Sequence, residues 1–154
     1  MKLESRRCTI REFKRQDIDA FMEYRNNDSW MKYQGFKNLT KKQYEEALLK
    51  DLDFKEGAQL VITHTRDAVV IGDIYLKAED DSVWIGYTIH PTYARQGYVK
   101  EALTTIFWWL KNQGIHKVKA SVLKENVNSI ALLKKLGFLF SGIEEDEEIY
   151  LKTL

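Results

Sequence analysis

The sequence predicts an α/β fold built on a mixed sheet of about six to seven strands with about four helices. Three consecutive segments between Gln59 and His90 are rich in Val, Ile, Tyr and Trp, which is typical of an antiparallel meander. After Pro91 the apolar period changes from that of a strand to that of a helix, and strands and helices then alternate. A strand, helix, strand order requires at least one parallel pair, so the sheet is mixed.

The first third of the chain predicts one strand and two helices. A strand is expected over residues 8–13, and Asp17 opens a short amphipathic helix. Thr40 and Gln43 have the spacing of a capping box, so a second helix is expected to begin at Thr40 and to run to about Leu52. The apolar face of the first helix is formed by Ile18, Phe21 and Met22, with Arg25 at the same spacing.

The rest of the chain predicts closely spaced elements without a linker. The three strands of the meander are Gln59–Thr65, Ala68–Lys77 and Ser82–His90. A long, largely buried helix ends at Gly114, and its tandem Trp108-Trp109 is assigned to core packing. The remaining elements are strands at Lys117–Leu123, Leu139–Ile143 and Glu148–Leu154 and a helix at Asn126–Leu136. Since no repeat or Gly- or Pro-rich stretch interrupts this order, residues 1–154 are expected to form a single domain.

Composition excludes several classes of function. Twenty-four basic and 23 acidic side chains leave a formal net charge of +1, which gives no electrostatic signature for binding nucleic acid or an anionic membrane. Cys8 is the only cysteine and the histidines have no companion at ligand spacing, so neither a disulfide nor a metal site is expected. We expect Cys8 to be a buried strand residue. No apolar run approaches the length of a membrane span, and a cytoplasmic protein is expected.

The segment around Gly97 has the chemistry of an anion site. A strand ends near His90, and a short loop holding Gly97 leads into a helix, whose first backbone N–H groups have no partner within the helix. Glycine lets a phosphate approach the main chain, while Arg95, Gln96 and Lys100 add donors or charge. On one glycine alone, an ordinary strand-to-helix turn is the favoured interpretation.

Several segments of the chain resemble the GNAT superfamily of N-acetyltransferases. ARQGYV is similar to the acetyl-CoA loop of that family, with Gly97 at the central glycine and Ala94 and Val99 at the outer positions. NVNSIALLKKLGF, from Asn126 to Phe138, resembles a second family marker, and IGYTIHP resembles its central strand. The start of the chain is similar to the ribosomal-protein N-terminal (Rim-type) branch, so the resemblance spans nearly the whole chain.

The resemblance implies a sheet that splays at an acetyl-CoA site and the residues that hold this co-substrate. Main-chain groups around Tyr87 and Ile89 would bind the pantetheine arm, with the N–H near Ile89 facing the thioester carbonyl. Asn126 would hold the arm from the other side, although an N-cap role explains this asparagine equally well. The implied cofactor-binding residues are Tyr87, Ile89, Ala94, Arg95, Gln96, Gly97, Tyr98, Val99 and Asn126.

Two catalytic groups that are common in this family have no counterpart here. Trp84 stands where many members carry a general base, and Leu133 stands where many carry a tyrosine acid. The resemblance leaves Ser129 as the residue that approaches the thioester sulfur, although a serine near a helix N-terminus is more often a local backbone partner. A missing acid is tolerable because a thiol has a pKa near about 8.5 and leaves readily as its anion.

The resemblance implies direct acetyl transfer from acetyl-CoA to a primary amine of a protein, peptide or small molecule, by a monomer or homodimer. Without a strong base, an α-amine is favoured because at neutral pH it is far more often uncharged than a lysine side chain. Asp73, Tyr75 and His90 are further candidates to border the acceptor, and the acidic run 144–148 could attract a cationic amine. The alternative is a non-catalytic acyl-CoA-binding or regulatory domain.

Overall fold

The computed structural model describes residues 1–154 and contains one eight-stranded sheet. The strands are β1 (Lys2–Glu4), β2 (Cys8–Glu12), β3 (Ala58–His64), β4 (Val70–Glu79), β5 (Ser82–Ile89), β6 (Lys117–Leu123), β7 (Leu139–Glu144) and β8 (Glu147–Thr153). Their spatial order is β1-β2-β3-β4-β5-β6-β8-β7. Every neighbouring pair is antiparallel except β5 and β6, which run parallel, so the predicted mixed sheet is confirmed.

Four α-helices cover the two faces of the sheet. They are α1 (Ile18–Arg25), α2 (Lys41–Leu48), α3 (Tyr98–Asn112) and α4 (Val127–Lys135). The larger core contains the apolar stripe of α3, residues of α4 and one face of the strands, whereas a smaller core joins α1 and α2 to the opposite face. The capping box predicted at the start of α2 is present, since the Thr40 hydroxyl accepts the Gln43 N–H at 3.2 Å and the Gln43 side chain accepts the Thr40 N–H at 2.9 Å.

The structure differs from the sequence prediction in three places. The three-residue β1 makes the sheet larger than the six to seven strands expected, because so short a segment has no readable alternation. Helix α2 ends at Leu48 rather than near Leu52, since Leu52 and Phe54 turn away to pack against the larger core. The assignment of the tryptophan pair to packing is wrong for Trp108, which is 68% exposed, while Trp109 packs against Phe54.

The sheet splays between β5 and β6. Their pairing is confined to Ser82, Val83 and Trp84 on β5, which face residues 117–119 of β6. Beyond that point the two strands carry no mutual ladder, so their facing edges keep main-chain groups that the sheet itself does not satisfy. The splay expected from the family resemblance is therefore present, and it opens at the carboxyl ends of the one parallel pair.

Candidate active site

A cavity of about 430 Å³ fills the space between the diverging ends of β5 and β6. We call this cavity the cleft. Alternation along the two strands divides its lining between the two faces of the sheet. The face covered by α3 and α4 contributes Ile85, Tyr87, Ala120, Val122, Asn126, Ser129 and Leu133. The face on the side of α1 and α2 contributes Lys32, Tyr33, Gln34, Gly35, Gly86, Ser121, Leu123 and Glu147. The cleft is thus lined by residues from both faces of the sheet.

Two predicted site residues meet on the α3 and α4 side of the cleft. The Tyr87 hydroxyl lies 2.8 Å from Ser129 Oγ, joining β5 to the first turn of α4. Burial raises the pKa of Tyr87 to about 12, against the opposing effect of its hydrogen bond with Ser129. Asn126 acts as the N-cap of α4, because its side chain accepts the Ser129 N–H at 3.4 Å, and it also lines the cleft.

The segment between α1 and α2 contacts the edge of β5 that faces the cleft. Gln34 Nε2 donates to the Tyr87 carbonyl at 3.3 Å, and the Trp30 indole donates to the Ile89 carbonyl at 2.7 Å. The His90 N–H is bound to the Ile71 carbonyl on the β4 side, so alternation turns the N–H of Ile89 towards the cleft. Gln34 and Trp30 were missed by sequence reasoning, since nothing in their local pattern marks this contact.

The loop before α3 has the backbone of an anion site. Gly97 is the N-cap of α3 with φ of 80°, and Arg95 also has a positive φ, of 61°. Residues 95–97 are exposed, whereas Tyr98 is buried and Ala94 and Val99 are half-buried. Tyr98 and Val99 are therefore available to a ligand mainly through their main chain.

Arg7 supports this loop from the side. Its guanidinium lies 4.2 Å from the centroid of the Tyr98 ring, donates to the Gln96 carbonyl at 3.0 Å and pairs with Glu101 at 2.8 Å. Partial burial alone would raise the pKa of Glu101, but hydrogen bonds from Ser5 and Arg7 outweigh it and lower the value to about 2. The Arg7–Glu101 pair is thus ionised at neutral pH and ties the first turn of α3 to the start of β2.

The opposite side of the cleft holds one carboxylate and one ammonium group. Glu147 at the start of β8 accepts a hydrogen bond from Ser121 Oγ at 2.8 Å, and Lys32 lines the same side. The acidic run 144–148 had been noted in the sequence, but only Glu147 of that run lines the cleft. Selecting it requires knowing that β8 pairs with β6.

The other acceptor candidates lie outside the cleft. Asp73 is fully buried, where it pairs with Arg25 at 2.5 Å and accepts hydrogen bonds from Tyr24 and from Gln59 at 2.6 Å. Tyr75 contacts Gly57, and His90 Nδ1 accepts the Thr92 N–H at 3.1 Å. The suggestion that these three residues border the acceptor is not supported, because none of them lines the cleft.

Comparison with known proteins identifies the fold family. A family model described as the acetyltransferase (GNAT) domain matches residues 7–139. The chain belongs to the GNAT acetyltransferase family. It is an acetyltransferase, which favours the enzyme interpretation over a non-catalytic acyl-CoA-binding domain.

Individual relatives agree with this GNAT assignment. The chain is 26% identical over 144 residues to the uncharacterized N-acetyltransferase YnaD of Bacillus subtilis strain 168, covering 92% of this chain and 85% of the relative. RimL, a ribosomal L7/L12 alpha-N-protein acetyltransferase solved in complex with coenzyme A, superposes with a TM-score of 0.85 at 12% identity, covering 100% of this chain and 98% of RimL. Spermidine N-acetyltransferase from Vibrio cholerae, in complex with CoA and spermine, gives 0.78 at 17% identity, with 97% and 96% covered. At these identities the structural likeness concerns the GNAT fold.

Two further observations concern the whole GNAT chain. None of its helices combines the length and the apolar character that crossing a membrane would take. The structure brings together no group of three His, Cys, Asp or Glu side chains that could share a metal ion. Cys8 is fully buried in β2 as predicted, and burial raises the pKa of its thiol to about 11.

Proposed function

We propose that this GNAT protein transfers the acetyl group of acetyl-CoA directly to an α-amine in the cleft between β5 and β6. The observation that carries the proposal is the division of the cleft into two chemically different sides. Hydroxyl groups of Tyr87 and Ser129 lie on one face of the sheet, and the Glu147 carboxylate lies on the other. Direct transfer needs both substrates bound at once, and we infer that they enter this cleft from its two chemically different sides.

The residues before α3 fit the anionic end of acetyl-CoA. The N-terminus of this fifteen-residue helix offers unpaired N–H groups and a positive dipole. Gly97 carries no side chain over these groups, and the exposed Arg95 and Lys100 add positive charge. Tyr87 and Asn126 line the cleft and would hold the pantetheine arm, together with the main-chain N–H of Ile89 at the end of β5.

Three groups of this chain would act on the reacting atoms. The Ile89 N–H would donate to the thioester carbonyl oxygen as negative charge develops there. Ser129 would donate a hydrogen bond to the departing sulfur, whose thiolate is already a fair leaving group with a pKa near about 8.5. Glu147 would attract the incoming amine and accept its proton, directly or through water.

The acceptor class follows from how much base catalysis the site offers. Trp84 lies where β5 and β6 still pair, so β5 contributes no carboxylate to the cleft, and Glu147 is the one carboxylate in its lining. Near about pH 7.5 an α-amine with a pKa of about 7.8 is roughly one-third neutral, whereas a lysine side chain is about 0.1% neutral. This difference favours peptide N-termini or amino-acid derivatives. RimL acts on a protein α-amine and spermidine acetyltransferase on a polyamine, so the shared fold admits either class.

A matched peptide pair tests the proposal. One peptide has a free N-terminus and a blocked lysine, and the other has the reverse arrangement. We expect acetylation of the first to exceed that of the second by about a hundredfold near neutral pH, with the ratio falling as pH rises towards the lysine pKa. CoA release and the mass of the product measure it. Preferential lysine acetylation at neutral pH would overturn the α-amine assignment and indicate a stronger base than we infer.

A further inference from the structure

The hydrogen bond between Tyr87 and Ser129 joins two elements on either side of the cleft. These residues are 42 positions apart in sequence, and their hydroxyl oxygens lie 2.8 Å apart. The Tyr87 hydroxyl also lies 3.4 Å from the Ser129 main-chain carbonyl, which can only accept. Tyr87 is half-buried against the larger core, so its ring is held by packing.

Ser129 makes no local hydroxyl contact of the kind usual for helices. On α3, Thr104 and Thr105 donate their hydroxyls to the carbonyls of the residues four positions earlier, at 2.7 and 3.1 Å. The only hydrogen-bond partner of Ser129 Oγ is Tyr87, while the Ser129 N–H is taken by Asn126. The serine proton is therefore free of the backbone.

The geometry allows either hydroxyl to donate, and acidity favours Tyr87 as the donor. Burial raises the pKa of Tyr87 to about 12, so its hydroxyl keeps its proton at neutral pH. A phenol is also the better donor of the two hydroxyls, because an aliphatic hydroxyl is a much weaker acid. When Tyr87 donates to Ser129 Oγ, the serine proton is left to point elsewhere, and Ser129 lines the cleft.

We propose that Tyr87 is a positioning residue that donates its hydroxyl proton to Ser129 Oγ and thereby turns the Ser129 hydroxyl towards the sulfur of the acyl donor. This inference rests on the proposed function. It assigns the Tyr87 side chain a role that is separate from the main-chain contacts expected of the same residue.

The bonding changes balance without a proton leaving Tyr87. The amine nitrogen forms a bond to the carbonyl carbon, the carbon–sulfur bond breaks, and its electron pair stays on sulfur. Ser129 stabilises that charge by a hydrogen bond, the proton lost from nitrogen passes to Glu147 or water, and the released thiolate is protonated from solvent. A phenol with a pKa of about 12 is too weak an acid to protonate a thiolate whose conjugate thiol has a pKa near about 8.5, so Tyr87 acts by orientation.

A double-mutant cycle tests the positioning role. Tyr87→Phe, Ser129→Ala and the double variant are assayed with acetyl-CoA and a peptide bearing a free α-amine. We expect each single variant to show a clear loss of kcat, of up to about tenfold, with KM for acetyl-CoA changing less than about twofold, and the double variant to be no slower than Ser129→Ala. Tyr75→Phe is the matched control, since Tyr75 lies on neighbouring β4 outside the cleft, and it should retain wild-type kcat.

Several outcomes would overturn the inference. Wild-type kcat in Tyr87→Phe, or single losses that multiply in the double variant, would show that the two hydroxyls act independently. If Tyr87→Phe fails to fold, Ser129→Thr replaces it. That variant keeps a hydroxyl beside Tyr87 and should keep most of kcat, so a Ser129→Thr enzyme as slow as Ser129→Ala would contradict positioning. Absence of turnover in the wild type would overturn the proposed function together with this inference. If the wild type turns over, the variants test the role of Tyr87 alone.

Discussion

Gly97 and Gly114 bound the same helix and share a left-handed backbone, with φ of 80° and 87°. A β-branched residue at either position pays a similar conformational cost of about 1 to 2 kcal/mol. Only Gly97 lies at the N-terminus, where the anion site is proposed. Comparing the two positions therefore separates strain from ligand contact.

We predict that Gly97→Val and Gly114→Val lower the free energy of unfolding by similar amounts, but that only Gly97→Val loses affinity for CoA. The physical reason is that a side chain at position 97 covers the N–H groups to which the pyrophosphate would bind. Isothermal titration with CoA and urea unfolding give the two quantities. Equal CoA affinity in both variants would locate the phosphates elsewhere.

The acid stability of the protein should depend on Glu101. Its pKa in the folded state, about 2, lies below the ordinary value of 4.5, so the contribution of this carboxylate is complete above about pH 4.5 and is lost as pH falls towards 2. Because the Glu101 side chain is partly exposed to solvent, this shift corresponds to a contribution of at most about 3 kcal/mol. We predict that Glu101→Gln is less stable than the wild type near about pH 6 and that the difference shrinks near about pH 3. Urea unfolding at both pH values checks this, and a difference independent of pH would contradict it.

At the scale of elements, the segment between α1 and α2 is tied to the sheet through a buried ion pair. Arg25 at the end of α1 binds Asp73 on β4 and also donates to the Gly35 carbonyl at 3.2 Å. Gln34, next to Gly35, accepts from the Thr88 hydroxyl at 2.8 Å while donating to the Tyr87 carbonyl. Asp73, which the sequence suggested as a residue bordering the acceptor, thus supports the wall of the cleft.

Breaking this ion pair should be costly. We predict that Asp73→Ala loses about 3 to 5 kcal/mol of unfolding free energy, because it leaves the buried Arg25 charge without its partner. Asp19→Ala is the control, since the Asp19–Lys41 pair is largely exposed and should contribute less than about 1 kcal/mol. Chemical denaturation of both variants measures these losses. Similar small losses of unfolding free energy would mean that water or another group satisfies Arg25.

Elements with long periodic patterns could be predicted from the sequence, and short or tertiary features could not. The meander, α3 and α4 carry alternation or helical stripes over many residues, and each was found close to its expected bounds. Residues Leu49 to Phe54 continue the apolar spacing of α2, but the larger core takes Leu52 and Phe54 out of the helix. The end of α2 therefore depends on which apolar surface of the folded sheet is still uncovered, and the local sequence does not show that.

The candidate site divides in the same way. Gly97, Asn126 and Ser129 belong to contiguous motifs, so the sequence was sufficient to suggest them. Contact of Ser129 with the Tyr87 hydroxyl depends on how far β5 and α4 diverge, and selection of Glu147 depends on strand pairing. Neither is encoded in a local pattern.

At the scale of the whole molecule, the sheet and its helices leave one opening between parallel strands. The two cores lie on opposite faces of the sheet, and the splay of β5 from β6 connects those faces through the cleft. The two sides of this opening differ chemically, because one carries hydroxyl donors and the other a carboxylate. In the proposed transfer, acetyl-CoA therefore lies on the side of α3 and α4 and the amine on the side of α1 and α2.

The most direct test of this account is a crystal structure of the wild-type protein with acetyl-CoA. We predict that the pyrophosphate lies against the main chain at Gly97, that the arm runs between β5 and β6, and that the thioester sulfur lies within hydrogen-bond distance of Ser129 Oγ. The acetyl group should face the side of the cleft that holds Glu147. Acetyl-CoA bound outside the cleft, or a sulfur placed away from Ser129, would contradict the central claim.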